Sequence, residues 1–257
     1  MTGTLPDLVP ITTRGAQVEA SSPGTWRLEI PAGAAKRYRL AQVDDYHQLR
    51  RGDFPWQPPL RLSLRARVSA PDLPGTWGFG LWNDPFSLSM GLGGAVQRFP
   101  ALPNAAWFFF ASPPNYLSFR DDLPAQGFLA AIFQSAAVPS PLLALAAPGL
   151  ALAALPGASR LARRVLRRLV RQSAAITPGD VTAWHTYMLD WQPGGVVFAL
   201  DGQVFHTTPL TPCGPLALVI WIDNQYAALP PKGGLRFGTL PNPEPAWLEV
   251  TELSVSL

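Results

Sequence analysis

Apolar and polar residues alternate with a period of two along much of this chain, in short runs broken by glycine and proline. Leu60 to Ser69, LRLSLRARVS, puts leucine, alanine and valine on one side and arginine or serine on the other, the pattern of a strand with one buried face. Thr186–Asp190 and Val196–Leu200 repeat it across Pro193-Gly194-Gly195, and Asp201-Gly202 then supplies the positive φ that tight turns between strands need. Further strands are predicted at Trp26–Ile30, Tyr38–Val43, Thr76–Asn83, Tyr116–Phe119, Leu216–Asp223, Gly234–Gly238 and Trp247–Ser256, after an extended lead-in over residues 1–24. Ala105–Ala111, AAWFFFA, is apolar throughout and reads as a strand buried on both faces. This spacing predicts an all-β, two-sheet jelly-roll sandwich forming a single domain over 1–257.

One region departs from the alternation. No charged residue occurs from Leu123 to Ser159, and then Arg160, Arg163, Arg164, Arg167, Arg168 and Arg171 follow in quick succession. At roughly 100° per residue these arginines share a helix face, with Leu161, Val165, Leu166, Leu169 and Val170 on the other. Residues 123–180 therefore read as an apolar and basic amphipathic helical insertion within the sandwich. Pro139, Pro141, Pro148 and Pro156 break the tract too often for a spanning helix of about 20 apolar residues. Two environments fit it: an anionic membrane surface, with the arginines at the head groups, or the edge of the sandwich itself, with the arginines in water.

Composition narrows the classes. The 29 prolines oppose long helices, and 257 residues suffice for one large β domain. The formal net charge of +3 is smaller than the six positive charges of the arginine segment, so the rest of the chain is net acidic. With its cations on one greasy-backed helix and no recognition motif, the chain is not expected to bind nucleic acid. A lone Cys213 leaves no internal disulfide and suits a reducing compartment. The start, MTGTLPDLVPITTRG, lacks the basic and apolar regions of a secretory leader. Together these predict a cytoplasmic protein with peripheral membrane contact.

Trp184 to Gly202, WHTYMLDWQPGGVVFALDG, resembles the penultimate hairpin of family 16 glycoside hydrolases and related concanavalin A-like lectins and glucanases. Leu62–Arg67 followed by Gly75-Thr76-Trp77-Gly78-Phe79-Gly80-Leu81-Trp82, and the alternating Leu248–Leu257, are similar to further pieces of that family. The resemblance implies a concanavalin A-like fold and a carbohydrate ligand. It also implies a catalytic Glu-x-Asp-x-x-Glu strand, which this sequence lacks: AAWFFFA stands where the acids are expected.

The remaining candidates lie at strand ends. Asp84 and Asp223 are the candidate acid pair, with His47 as a third titratable group; the bland alternative is that each caps a strand or turn. In Leu218–Tyr226, alternation puts Val219, Trp221, Asp223 and Gln225 on one face and Ile220, Ile222 and Asn224 on the other. Trp77, Trp82, Asn83, Trp107, Trp221, Asn224 and Tyr226 are the candidate ligand-binding residues, by ring stacking and hydrogen bonds to hydroxyls. His47, His185 and His206 show no metal-ligand spacing, so no metal or cofactor is expected. Cys213 lacks a neighbouring acid–base partner, and Gly91-Leu92-Gly93-Gly94 lacks the ending of a phosphate loop. Three functions remain open: a noncatalytic domain binding a carbohydrate or glycolipid, a glycoside hydrolase-like enzyme with a non-standard acid pair, and a membrane-peripheral interaction scaffold.

Overall fold

The structure, a computed structural model, describes residues 7–85, 98, 100–139, 143 and 156–257. Its elements are β1 (Val9–Thr12), β2 (Gln17–Ser22), β3 (Thr25–Ile30), β4 (Leu40–Asp44), β5 (Leu60–Val68), β6 (Thr76–Trp82), β7 (Ala105–Ala111) and β8 (Gly127–Ser135). Helix α1 (Pro156–Leu169) follows, then β9 (Val170–Ile176), β10 (His185–Gln192), β11 (Gly195–Leu200), β12 (Gln203–Thr208), β13 (Ala217–Asp223), β14 (Gln225–Ala228), β15 (Arg236–Thr239) and β16 (Ala246–Ser256).

Two seven-stranded sheets stack as a jelly-roll sandwich. The first has the order β12-β11-β10-β5-β16-β3-β2 and the second β1-β4-β13-β6-β7-β8-β9, with β14 and β15 as a separate ribbon. The β11–β12 turn is built as its sequence requires, with Asp201 at φ 49° and Gly202 at φ 79°. Its second strand, Gln203–Thr208, was not among the predicted ones.

The span 123–180 is organised differently from the helical insertion expected. Gly127–Ser135 is strand β8, paired along its length with β7, and Val170–Ile176 is strand β9, paired with β8. An uncharged strand buried on both faces has the same composition as an apolar helix, which is why its sequence did not separate the two. Helix is confined, among the fully described elements of this span, to α1. Proline stands at its first position, where the missing amide costs no bond, and alanine, leucine and arginine fill its body. Tyr116–Phe119, predicted as a strand, contributes only an isolated bridge from Tyr116 to Ala228.

Burial divides the second sheet into two faces. Trp77, Phe79, Leu81, Phe108, Phe110 and Ile132 point toward the first sheet and join Leu28, Leu62, Leu189 and Trp191 in the inter-sheet core. Trp107, Phe109, Phe133, Val219 and Trp221 point the other way and form a separate cluster on the outer face. Leu166 and Leu169 of α1, with Leu117 and Phe119, pack against that second cluster.

Candidate functional site

The strand registers lay the outer face out in rows. One row runs Gln42, Trp221, Gly78, Phe109, Leu129, and the next runs Asp44, Val219, Gly80, Trp107, Ala131. A third holds Ala217, Trp82, Ala105 and Phe133, and a fourth, at the opposite end, Leu40, Asp223, Thr76 and Ala111. The middle of this face is a floor of rings. Trp82 and Trp221 are nearly parallel, at 8° with centroids 6.4 Å apart, and Trp107 lies 5.6 Å from Trp221, 5.9 Å from Trp82 and 5.2 Å from Phe109.

Glycine makes that floor possible. A Cβ on Gly78 would sit 2.3 Å from the Phe108 carbonyl oxygen and 3.0 Å from the Trp221 ring. On Gly80 it would meet Trp107 at 2.5 Å. Two bare positions on β6 therefore let the indoles of β7 and β13 close over the strand between them. Trp107 and Trp221 are each only 8% exposed, whereas Trp82 is half-buried. The indole Nε1 of Trp221 donates to Thr76 Oγ1 at 3.0 Å. Those of Trp107 and Trp82, like that of Trp77 in the inter-sheet core, are buried and have no hydrogen-bond partner among the described residues.

Polar groups gather at the two ends. At one, Asp223 accepts from Thr76 Oγ1 at 2.8 Å and from Tyr38 Oη at 3.3 Å, and burial pushes its pKa up to about 7. At the other, Asp44 accepts from Gln42 Nε2 at 2.7 Å and from the Tyr46 amide at 3.1 Å, with its pKa raised by burial. Asp84 pairs there with Arg98 at 2.7 Å, and the same guanidinium stacks on Tyr46 at 5.2 Å and donates to the carbonyl oxygens of Tyr46 and His47. Next to this cluster, Asp45 accepts from Trp56 Nε1 and the Leu218 amide, and burial pushes it up to about 7.

The sequence-predicted acid pair does not form. Thr76 is opposite Asp223 and Trp82 opposite Ala217, so six residues of β6 separate Asp223 from the Trp82 end that carries Asp84. That is roughly 20 Å of strand, whereas glycosidase carboxyls stand about 5–5.5 Å apart in retaining enzymes and about 6.5–9.5 Å in inverting ones. The outward positions of β7 hold Ala105, Trp107, Phe109 and Ala111, none of them acidic. Among the described residues, no group of His, Cys, Asp and Glu could hold a metal ion.

Several ligand candidates serve the fold instead. Trp77 is 2% exposed and stacks between Phe110 at 5.4 Å and Phe128 at 4.5 Å inside the inter-sheet core, because odd positions of β6 face inward. Asn83 donates to the Leu102 carbonyl and accepts from the Asn104 amide. Asn224 accepts from the Arg39 amide and donates to the carbonyls of Arg37 and Leu240. Tyr226 lies on the β14–β15 ribbon, half-buried against Gly238. Of the seven, Trp82, Trp107 and Trp221 come together. Sequence reasoning missed Phe109, Phe133, Gln42, Asp44 and Tyr46 on this face, although the alternation Leu40, Gln42, Asp44 marks Gln42 and Asp44 and that of Ala105, Trp107, Phe109 marks Phe109. The Gly91–Gly94 loop lies outside the described residues.

The arginine segment is not one face. Arg163 is 4% exposed: it donates to the carbonyls of Ser118 and Leu229 at 2.8 and 2.5 Å, pairs with Asp121 and stacks on Tyr116 at 5.3 Å. Its place is that of a structural tether rather than a surface cation. Arg171 belongs to β9 and donates to Gln134. Arg160, Arg164, Arg167 and Arg168 face water, beside Leu161 and Val165 at 58% and 44% exposure. No helix among the described residues is long and apolar enough to cross a membrane.

No family model and no curated protein matches the chain. Solved structures similar to it include a glycoside hydrolase family protein from Mycobacterium thermorestibile, 15% identical over 97% of this chain and 92% of that one, with a TM-score of 0.48. The β-glucanase of Bacillus licheniformis is 11% identical over 93% and 82%, with a TM-score of 0.47. The catalytic domain of an endo-1,3-β-glucanase (laminarinase) from Thermotoga petrophila RKU-1 is 13% identical over 91% and 80%, with a TM-score of 0.41.

Proposed function

We propose that the chain binds carbohydrate, free or as the head of a glycolipid, on the outer face of its second sheet, and that it binds without cleaving. The observation that carries this is the ring floor of Trp82, Trp221, Trp107 and Phe109. Sugar rings present apolar C–H faces that pack on aromatic rings, while their hydroxyls seek acceptors and donors at the edges. The partly exposed Gln42 supplies such a group beside the rings, held by Asp44 behind it. The approach is from the half-buried Trp82, since Trp107 and Trp221 are nearly sealed. Binding without cleavage is supported by the roughly 20 Å between the two candidate acids. A glycan array probed with the wild-type chain and with Trp82→Ala tests this: retention of one glycan class, weakened at least tenfold in the variant, is expected. Equal signal from both proteins, or none from the wild type, removes the reading.

A second reading concerns α1. Leu161 and Val165 stand exposed beside Arg160, Arg164 and Arg168, which favours peripheral contact with an anionic membrane, apolar side chains entering the acyl boundary and cations meeting head groups. Each such cation contributes about 1 kcal/mol near an anionic surface. Flotation with phosphatidylserine vesicles, lost on Leu161→Glu/Val165→Glu, is the expected outcome; flotation unchanged by that pair removes it.

A further inference from the structure

We infer that the exposed arginines of α1 line a site for clustered phosphate groups on a membrane head group, which deepens the membrane reading and rests on it. The groove beside α1 is lined by Arg160, Arg163, Arg164, Arg167 and Arg168, with Asp121 as its carboxylate. Its far wall is Pro231. That wall is held in place, because Ser159 Oγ donates to the Gly233 carbonyl and Arg163 to that of Leu229, on either side of Pro231.

Charge is unbalanced here in a particular way. Arg163 takes Asp121, and Arg167 reaches the same carboxylate only at 3.6 Å. Arg160, Arg164 and Arg168 form no salt bridge among the described residues. Several arginines of the sandwich are paired, Arg27 and Arg67 with Glu249, Arg61 with Asp190 and Arg98 with Asp84; the distinction of α1 is that its free guanidiniums are adjacent on one helix. Arg160, Arg164 and Arg168 are spaced one helical turn apart, so like charges adjoin along a single row, each pair costing about 0.2–0.5 kcal/mol until an anion arrives. Arg167 adjoins this row, whereas Arg163 is held below it by the Ser118 and Leu229 carbonyls and Asp121. Guanidinium forks about 5–6 Å apart along a helix match two or three phosphates on one small scaffold better than evenly spread single charges, because each fork takes two phosphate oxygens in a fixed geometry. The exposed Leu161 and Val165 next to the row favour a phosphate carried on a bilayer over one free in solution.

The test uses the full chain, with sodium tripolyphosphate followed by calorimetry and two vesicle types at equal surface charge, one with phosphatidylserine and one with phosphatidylinositol bisphosphate. Arg160→Gln/Arg164→Gln is the variant, and Arg171→Gln the control. The proposal expects tripolyphosphate binding weakened at least tenfold in the double variant alone, and at least tenfold preference for the bisphosphate vesicles that the double variant abolishes. No tripolyphosphate binding, or binding indifferent to the variant, overturns the site while phosphatidylserine flotation separately judges the membrane reading. Variant-sensitive tripolyphosphate binding without flotation of either vesicle overturns the head-group source. Tighter binding of a single-stranded RNA 20-mer than of bisphosphate vesicles also overturns the proposal.

Discussion

The two faces of the second sheet carry similar side chains and do different work. On β6, Trp77 points inward and Trp82 outward; the first is clamped between Phe110 and Phe128, the second lies half-buried over Trp107 and beside Trp221. Aromatic content alone therefore does not identify a binding surface. Parity along the strand does, together with what lies opposite: a second sheet in one case, a helix and loops in the other. Trp77→Ala is expected to cost about 3–5 kcal/mol, as large core truncations do, with glycan binding lost only through unfolding. Trp82→Ala should cost less than half as much in urea denaturation while weakening the glycan at native temperature. Equal destabilisation by the two would erase the distinction between core and floor.

Neighbouring arginines sharpen the same contrast. Arg163→Leu removes four donors' worth of contacts to Ser118, Leu229, Phe119 and Asp121 and is expected to destabilise by about 3 kcal/mol. Arg164→Gln, one residue on and solvent-facing, should stay within about 0.5 kcal/mol. Thermal denaturation of the two variants checks the pair. Gly78→Ala comes next, at about 1–3 kcal/mol for overpacking against Phe108 and Trp221. Because it lifts a ring off the floor, it should also weaken glycan binding more than its stability loss explains.

The remaining expected effect is in pH dependence. Asp223 has a folded pKa of about 7 against an ordinary 3.8 because burial disfavours its charged form. The unfolded chain then releases this proton at lower pH than the folded one, so stability falls as pH climbs from about 4 to about 7 and levels off above. Asp45, also at about 7, acts in the same window. Asp223→Asn should therefore reduce, without abolishing, the downward slope of Tm between pH 5 and 7. An unchanged slope would show that Asp223 ionises normally in the fold.

Much of the sandwich was legible because half-buried strands announce themselves: Leu60–Val68, His185–Gln192 and Ala246–Ser256 fall within a residue or two of their predicted bounds. Gly127–Ser135 did not: Ala105–Ala111 and Ala217–Asp223 are as fully covered but are rich in aromatic or β-branched residues and bounded by turn residues, whereas Gly127–Ser135 runs on into an uncharged apolar tract that hides its end. The site was legible in part. Trp82, Trp107 and Trp221 are set by parity on three strands, but their meeting depends on which strands adjoin, and only the order β13-β6-β7 supplies that. The same order parts Asp84 from Asp223, which no local pattern could have indicated. Arg163 was misread for a related reason: helix periodicity gives an angle around the axis, and burial of a cation at that angle depends on distant carbonyls at Ser118 and Leu229.

The most direct measurement follows the indole Nε1–H signals of the nine tryptophans by nitrogen–proton correlation spectroscopy during titration with the glycan class retained on the array. The account predicts that the signals of Trp82, Trp107 and Trp221 shift with saturation while those of Trp77 and Trp191 stay fixed. Shifts confined to Trp184 and Trp247, on the outer face of the first sheet, would contradict it.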